Sequence, residues 1–267
     1  MKKIISLIFL FSLFSSVGLQ AEQRLRLATT TSTDNSGLLA ALHPAFEQHT
    51  GVKIDVIAVG TGKALKLAEN GDVDLVMVHA PASEKKFVEN GFGVQRLAVM
   101  HNDFILIGPD ADPASVRQAE SLADAMKRIS ASDAGFISRG DDSGTHKKEK
   151  QLWQAASINP QGSWYLSVGQ GMGAVIQIAD NKLAYTLSDR GTYLAYRKNT
   201  DLKTVYEGSM ALINPYHVIL VNPERHPHSN FELAEKYVTF LRGKKGQNII
   251  RNFTINGEVL FYPDVIK

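Results

Sequence analysis

LRLATTTSTDNSGLLAAL, residues Leu25 to Leu42, is the stretch on which the reading of this chain turns. Leu25, Leu27 and Ala28 make an apolar run of strand type, and it stops at the hydroxyl residues Thr29, Thr30, Thr31 and Ser32. Asp34, Asn35 and Ser36 are capping types, after which Leu38, Leu39, Leu42 and Phe46 recur at helical spacing. A strand, a hydroxyl-rich turn and a helix start collect O–H and free N–H donors on one side. The helix dipole favours negative charge there. A single Ser/Thr cluster more often caps and solvates a turn. The anion-site reading gains its weight because the pattern recurs.

Outward from this stretch, strand and helix patterns alternate. Strand Arg24 to Ala28 precedes helix Ser36 to His49, closed by Gly51; strand Lys53 to Val59 precedes helix Lys63 to Asn70, closed by Gly71. Strand Val73 to His79 precedes a short helix, Ser83 to Asn90, closed by Gly91. Glycine just past each helix and the repeating order predict a parallel sheet covered on both faces. The run Gln95 to Gly108 is long for one strand and has a polar break at His101, Asn102 and Asp103, as expected where the chain crosses to a second unit.

That second unit repeats the motif. A strand ending at Phe136 and Ile137 runs into Ser138-Arg139-Gly140-Asp141-Asp142-Ser143-Gly144-Thr145 and then a helix through Leu152 and Trp153. Ser167 to Gly173 precedes the helix Ala174 to Asp180, and a weaker example, Leu187 to Gly191, follows a strand at Leu183 to Thr186. Strand His217 to Val221 returns the chain to the first sheet, followed by helix Phe231 to Leu241 and an apolar tail packing on the first domain. The expected units are 22–102 with 213–267 as one lobe and 103–212 as the other, with the ligand at the strand ends between them.

The ends and the composition bound the setting. Lys2 and Lys3, an apolar core from Ile4 to Phe14 and a polar approach to Ala21 read as a secretory signal peptide over residues 1–21. The apolar core is too short to span a bilayer. With no Cys the fold rests on its core alone, and the expected location is the periplasm of a Gram-negative cell. The net charge of +2 includes Lys2 and Lys3, so the mature chain is close to neutral (2 − 2 = 0). Nucleic acid and direct membrane insertion are not expected.

Sharper motifs fail on spacing. Gly60-Thr61-Gly62-Lys63 lacks the first glycine of a phosphate-binding loop, since Ile57 stands there, and Ala64 follows the lysine. Asp142-Ser143-Gly144 suggests a serine nucleophile, but the α/β pattern and the position of Gly140 do not fit; a secreted hydrolase is the remote alternative. The eight His form no HExxH pair, and His226 and His228 read as solvated loop residues. Trp153, Trp164 and Tyr165 read as core. What remains is a convergence of neutral donors, Thr30, Ser32, Thr61, Ser143 and Thr145, with helix-start N–H groups around one small tetrahedral oxyanion. Arg139 adds a fork-shaped cation.

The segments ATTTSTDNSGLL, VGTGKAL, SRGDDSGTHKKE and YLSVGQGMG resemble the periplasmic tungstate-binding proteins of ABC importers, the TupA type, and the similarity extends through NPYHVILVNP. The resemblance implies an α/β, two-lobed type II periplasmic-binding-protein fold, each lobe a mostly parallel sheet flanked by helices. It implies first-lobe contacts from Thr29, Thr30, Thr31, Ser32 and Thr61, and second-lobe contacts from Arg139, Ser143, Gly144 and Thr145, with a backbone N–H at Gly171. It further implies a monomer that is no enzyme, has no cofactor, holds tungstate through its oxygens without direct metal ligands, and delivers it to a membrane-embedded ABC permease.

Fully ionised tungstate, molybdate and sulfate need donors only, whereas hydrogen phosphate needs an acceptor as well. The first cluster is all donors up to Asp34; Asp141 and Asp142 leave phosphate open. Ordinary turn chemistry predicts instead that Asp142 satisfies backbone N–H groups and that Asp141 offsets Arg139. Tungstate over molybdate rests on the resemblance alone. A sensing role, with the loaded form docking on a receptor, is the alternative of a different kind.

Overall fold

A computed structural model describes residues 22–266; the expected signal peptide lies outside the described residues. The chain runs β1 (Arg24–Thr30), α1 (Thr31–Asn35), α2 (Leu38–Thr50), β2 (Lys53–Val59), α3 (Thr61–Asn70), β3 (Leu75–Val78), α4 (Pro81–Glu89) and β4 (Gly93–Gly108). It continues through α5 (Leu122–Ala131), β5 (Phe136–Ser138), α6 (Gly144–Ala155), β6 (Tyr165–Ser167), α7 (Met172–Asn181), β7 (Thr186–Asp189), α8 (Arg190–Tyr196) and β8 (Lys203–Tyr206). β9 (Ile213–Val221), α9 (Phe231–Arg242), α10 (Lys244–Asn252), β10 (Thr254–Ile255), β11 (Glu258–Val259) and β12 (Tyr262–Pro263) complete it.

In the first lobe β2, β1 and β3 are parallel neighbours, with Leu27 beside Val56 and Leu75. Leu25, Leu27 and Ala28 are fully buried because helices cover both faces. Leu25 and Leu27 pack among Leu38, Leu42, Phe46 and Tyr237 on one face, whereas Ala28 meets Ala64, Ala68 and Phe87 on the other. Each fully buried Leu stabilises the lobe by about 1.5–3 kcal/mol. The parallel expectation holds for these three strands and for β5 with β6; the two long connecting strands β4 and β9 run antiparallel to their neighbours.

β4 serves both lobes. Gly93 to Asp103 pairs with β9, and from Phe104 to Gly108 its partners become β7 and β8. Its second half alternates: Phe104 and Leu106 pack with Met126 and Trp153, Ile105 and Ile107 with Val175 and Ile176. The polar residues expected to break the strand do not. His101 pairs with Asp264, Asn102 is buried against Asn214, and Asp103 pairs with Arg190.

Other boundaries moved for local reasons. The helix expected from Ser36 begins at Leu38 of α2, because Gly37 before it has a φ of 81° that no helix interior accommodates, and a separate short helix, α1, lies ahead of it over the hydroxyl cluster. Thr31 and Ser32 therefore sit in a helical first turn. The strand expected at Leu183 to Thr186 begins at Thr186 instead, because the N–H of Leu183 still bonds Asp180 O in the turn closing α7. In the tail Leu260 and Phe261 join the first lobe's core, and β12 pairs with β4.

Candidate functional site

A cavity of about 620 Å³ lies between the lobes, lined from both. Apart from Asn35 and Tyr196, which close α1 and α8, the lining comes from the carboxyl ends of strands and the first turns of helices, the positions from which backbone N–H groups project. The first lobe contributes Thr30, Thr31 and Ser32, then Gly60 to Lys63, then His79, Ala80 and Ser83. The second contributes Arg139, Asp141 to Thr145 and Lys147, Gly171 to Gly173, and Asp189 with Thr192 and Tyr196. The lobes approach closely: a Cβ on Gly144 would lie 3.7 Å from His79 Cε1. Two donor clusters more than a hundred residues apart thus share one space.

Of the residues expected at the site, Thr30, Thr31, Ser32, Thr61, Arg139, Ser143, Gly144, Thr145 and Gly171 line this cavity. Thr29 does not. It is fully buried, and its hydroxyl donates to Met77 O at 2.7 Å inside the sheet. Side chains alternate along a strand, so Thr29 and Thr30 face opposite ways.

The helix starts differ in whether their N–H groups are already used. Ser143 Oγ accepts from His146 N at 3.3 Å, Asp189 from Thr192 N at 2.9 Å, and Thr30 Oγ1 from Thr33 N at 3.2 Å. At α4 the Glu84 carboxylate accepts from Ala80 N at 2.6 Å. The ten-residue helices α3 and α7 instead begin at Gly60 and Gly171 with no capping side chain. Their φ of −66° suits any residue. A Cβ at either position would meet nothing within 4 Å. Glycine at these two caps leaves the N–H donors of one helix in each lobe open to the cleft.

The second cluster is stiffly held. Gly140 has φ +63°, and a Cβ there would fall 1.9 Å from Ser167 Oγ, so the Arg139 loop lies hard against the loop after β6. Glu149 beneath it accepts hydrogen bonds from Ser138 Oγ, Tyr165 OH and Trp153 Nε1 at 2.7, 2.7 and 3.1 Å. Burial pushes its carboxyl above the usual range, against those hydrogen bonds. Trp153 is a buried core residue, as expected, and Trp164 and Tyr165 are partly buried against the same core.

Arg139 makes two contacts with Asp141, 3.1 Å from Nε and 2.5 Å from the terminal nitrogen. Asp141 also accepts from Ser143 N at 3.2 Å. Burial draws the Asp141 carboxyl up, but the hydrogen bonds from Ser143 and Arg139 outweigh it and hold it below the usual range. Asp141 thus both offsets Arg139 and satisfies the backbone N–H that turn chemistry assigned to Asp142. Asp142 pairs with Lys147 and Lys150, which lower its carboxyl, and its own N–H goes to His146 Nδ1.

The lining carries three cations, Lys63, Arg139 and Lys147, and three carboxylates, Asp141, Asp142 and Asp189. The formal sum is zero (3 − 3), so an anion is drawn by oriented N–H and O–H dipoles and by cations that exchange their partners. Lys63, His79, Lys147, Asp189 and Thr192 were not among the expected site residues. Their signal was positional, since each lies within a few residues of a strand end or helix start. Among the described residues no group of three or more His, Asp or Glu is placed to hold a metal ion, and no helix is long and apolar enough to cross a membrane.

The family model described as a PBP superfamily domain matches residues 19–244. The tungstate-binding protein TupA of Peptoclostridium acidaminophilum is 44% identical over 252 residues, covering 93% of this chain and 88% of that protein. The solved tungstate-binding protein TupA of Desulfovibrio alaskensis superposes with a TM-score of 0.85 at 46% identity, covering 91% of this chain and 99% of that one. The solved structure of the tungstate ABC transporter from Geobacter sulfurreducens superposes with a TM-score of 0.80 at 52% identity, covering 87% and 100%.

Proposed function

The chain belongs to the PBP superfamily and, within it, to the TupA tungstate-binding proteins, and from that premise we propose that it captures tungstate in the cleft between its lobes and hands it to an ABC permease. It is a periplasmic solute-binding protein, not an enzyme. The observation that carries this reading is the pair of open helix starts, Gly60 in one lobe and Gly171 in the other, facing one cavity with the hydroxyls of Thr30, Thr31, Ser32, Thr61, Ser143 and Thr145 and the Arg139 fork.

Tungstate is fully ionised near neutral pH, so it asks for donors on all sides, and these groups are donors. Hydrogen bonds to a charged group stabilise by about 1.5–3 kcal/mol each. About six of them, after the cost of association, suffice for nanomolar binding near −12 kcal/mol. The dianion touches both half-sites only when the lobes are together, so it shifts the population towards the closed form that a permease recognises. In this scheme residues 1–21 direct export and the mature chain acts as a monomer, with residues 22–102 and 213–267 forming one lobe and 103–212 the other.

Thermal melting of the mature protein against tungstate, molybdate, sulfate, phosphate and chromate tests this, since a ligand that binds the native state raises the midpoint by mass action. Tungstate is expected to give the largest rise. A larger rise with phosphate or sulfate, or none with any of the panel, overturns the reading.

A further inference from the structure

His79 stands at the end of β3, in the cleft wall, and its two ring nitrogens have different partners. Nδ1 is 3.1 Å from Asn214 Oδ1. The Asn214 amide is oriented by its own bonds: Nδ2 donates to Asn102 Oδ1 at 2.7 Å, Asn102 Nδ2 donates in turn to Tyr216 OH at 3.3 Å, and Asn102, Asn214 and Tyr216 are all buried. Asn214 Oδ1 therefore accepts, and the Nδ1 proton is fixed on that side of the ring. Nε2, facing Thr30 Oγ1 at 3.2 Å and Ser32 Oγ at 3.3 Å, is then a bare lone pair in the neutral ring.

A lone pair there accepts a hydrogen bond from one of the two hydroxyls, which leaves that O–H turned away from the cleft. A dianion in the cleft needs both protons turned towards it. Resting on the oxyanion reading of this cleft, we propose that binding of the dianion is coupled to uptake of one solvent proton at His79 Nε2. The imidazolium then donates to Thr30 or Ser32, both hydroxyl protons point at the anion, and His79 becomes a cationic member of the first-lobe half-site. The proton comes from water or buffer acid and is returned when the anion leaves.

The surroundings of the ring support this exchange. Tyr216 of β9 stacks on it with centroids 4.6 Å apart, and the start of α6 faces its edge at Gly144. Asp189 at the head of α8 and Glu84 of α4 both favour the charged ring; the other charged groups on the same cavity are Lys63, Arg139 and Lys147 and the carboxylates Asp141 and Asp142. In this structure burial outweighs the Asn214 hydrogen bond and the Asp189 and Glu84 carboxylates, all three of which favour the charged ring, and holds the imidazole below its usual value. A dianion adjacent to the ring acts in the opposite sense, so the ring is neutral before binding and charged after. Uptake spans the interval between those two values, and affinity falls as pH rises through it, by up to about tenfold per pH unit for one proton.

Calorimetry of the mature protein with sodium tungstate, at one near-neutral pH in buffers of different ionisation enthalpy, reads the protons taken up. A positive uptake approaching one is expected, together with a dissociation constant that rises as the pH is raised through the interval of uptake. His79→Gln, which keeps an amide donor near the place of Nε2 but does not titrate, is expected to lose the uptake; His146→Gln, outside the cavity lining, is expected to keep it. In the wild type, the ring-proton NMR signals should show one histidine becoming imidazolium on addition of tungstate. Tight tungstate binding with no uptake and no histidine changing charge overturns the proposal and leaves the tungstate reading intact, as does uptake that survives in His79→Gln. Absence of tungstate binding overturns the underlying reading instead.

Discussion

The two half-sites face the same cavity but are built differently. In the first lobe the hydroxyl donors sit at the end of β1, a strand buried on both faces and bonded to strands on either side. Thr30 is tied to Thr33, Ser32 and His79 before any ligand arrives. In the second lobe the strong donor is a cation, and Arg139 is held by Asp141 within its own loop. A half-site preorganised by its strand, with no charge pair among its hydroxyl donors, can capture an anion without breaking such a pair, whereas the Arg139 side must exchange its partner to engage. Capture by the first lobe and retention by the second is the division of labour this contrast teaches.

The largest test of that division is to close the open helix starts. Gly60→Asp and Gly171→Asp each place a capping carboxylate on a backbone that accepts it. Each is expected to raise the stability of the ligand-free fold by about 0.5–1 kcal/mol through the cap and the helix dipole. Each also removes about two hydrogen bonds to the anion, a loss of about 3–6 kcal/mol of binding, with charge repulsion in addition. Calorimetry with tungstate should show no binding for Gly60→Asp and residual weak binding for Gly171→Asp, since only the latter leaves the capturing lobe whole. The reverse order breaks the comparison.

Next in size is Arg139→Ala, expected to weaken tungstate binding by about 2–4 kcal/mol, the loss of a charged contact closed off from water. The same calorimetry checks it. An unchanged dissociation constant would mean that the Arg139–Asp141 pair never opens and that the second lobe works through its N–H groups alone.

Much of this was legible in the sequence because it depends on local periodicity. Strand ends followed by hydroxyls and helix starts pointed to part of the cavity lining in each lobe, and the polar run at His101 to Asp103 marked where β4 changes partners. What the sequence did not show depends on pairing at a distance. His79 becomes a site residue only when β3 lies beside β1 and Asn214 on β9 turns its ring. The antiparallel course of β4 and β9 likewise has no local signature, since buried strands read alike in either direction. Gly60 and Gly171 were visible as loop glycines, but a cap left open on purpose is recognised only by comparing it with the capped helices alongside.

The smallest expected effect on binding concerns Thr29, the tetrad residue that the strand alternation turns away from the cleft. Thr29→Val keeps the side-chain volume and removes the hydroxyl that donates to Met77 O within the sheet. The lost buried hydrogen bond costs about 1 kcal/mol of fold stability, visible as a lower melting temperature. Tungstate affinity should stay within about twofold, far below the tenfold that 1.4 kcal/mol represents. Thr30→Val at the neighbouring position removes a hydroxyl that faces His79 and the cavity, so it should weaken binding by about 1.5–3 kcal/mol. If the two variants lose affinity equally, the first-lobe hydroxyls act as a flexible cluster and not as a strand end that presents alternate residues, and the preorganisation attributed to that lobe has to be given up.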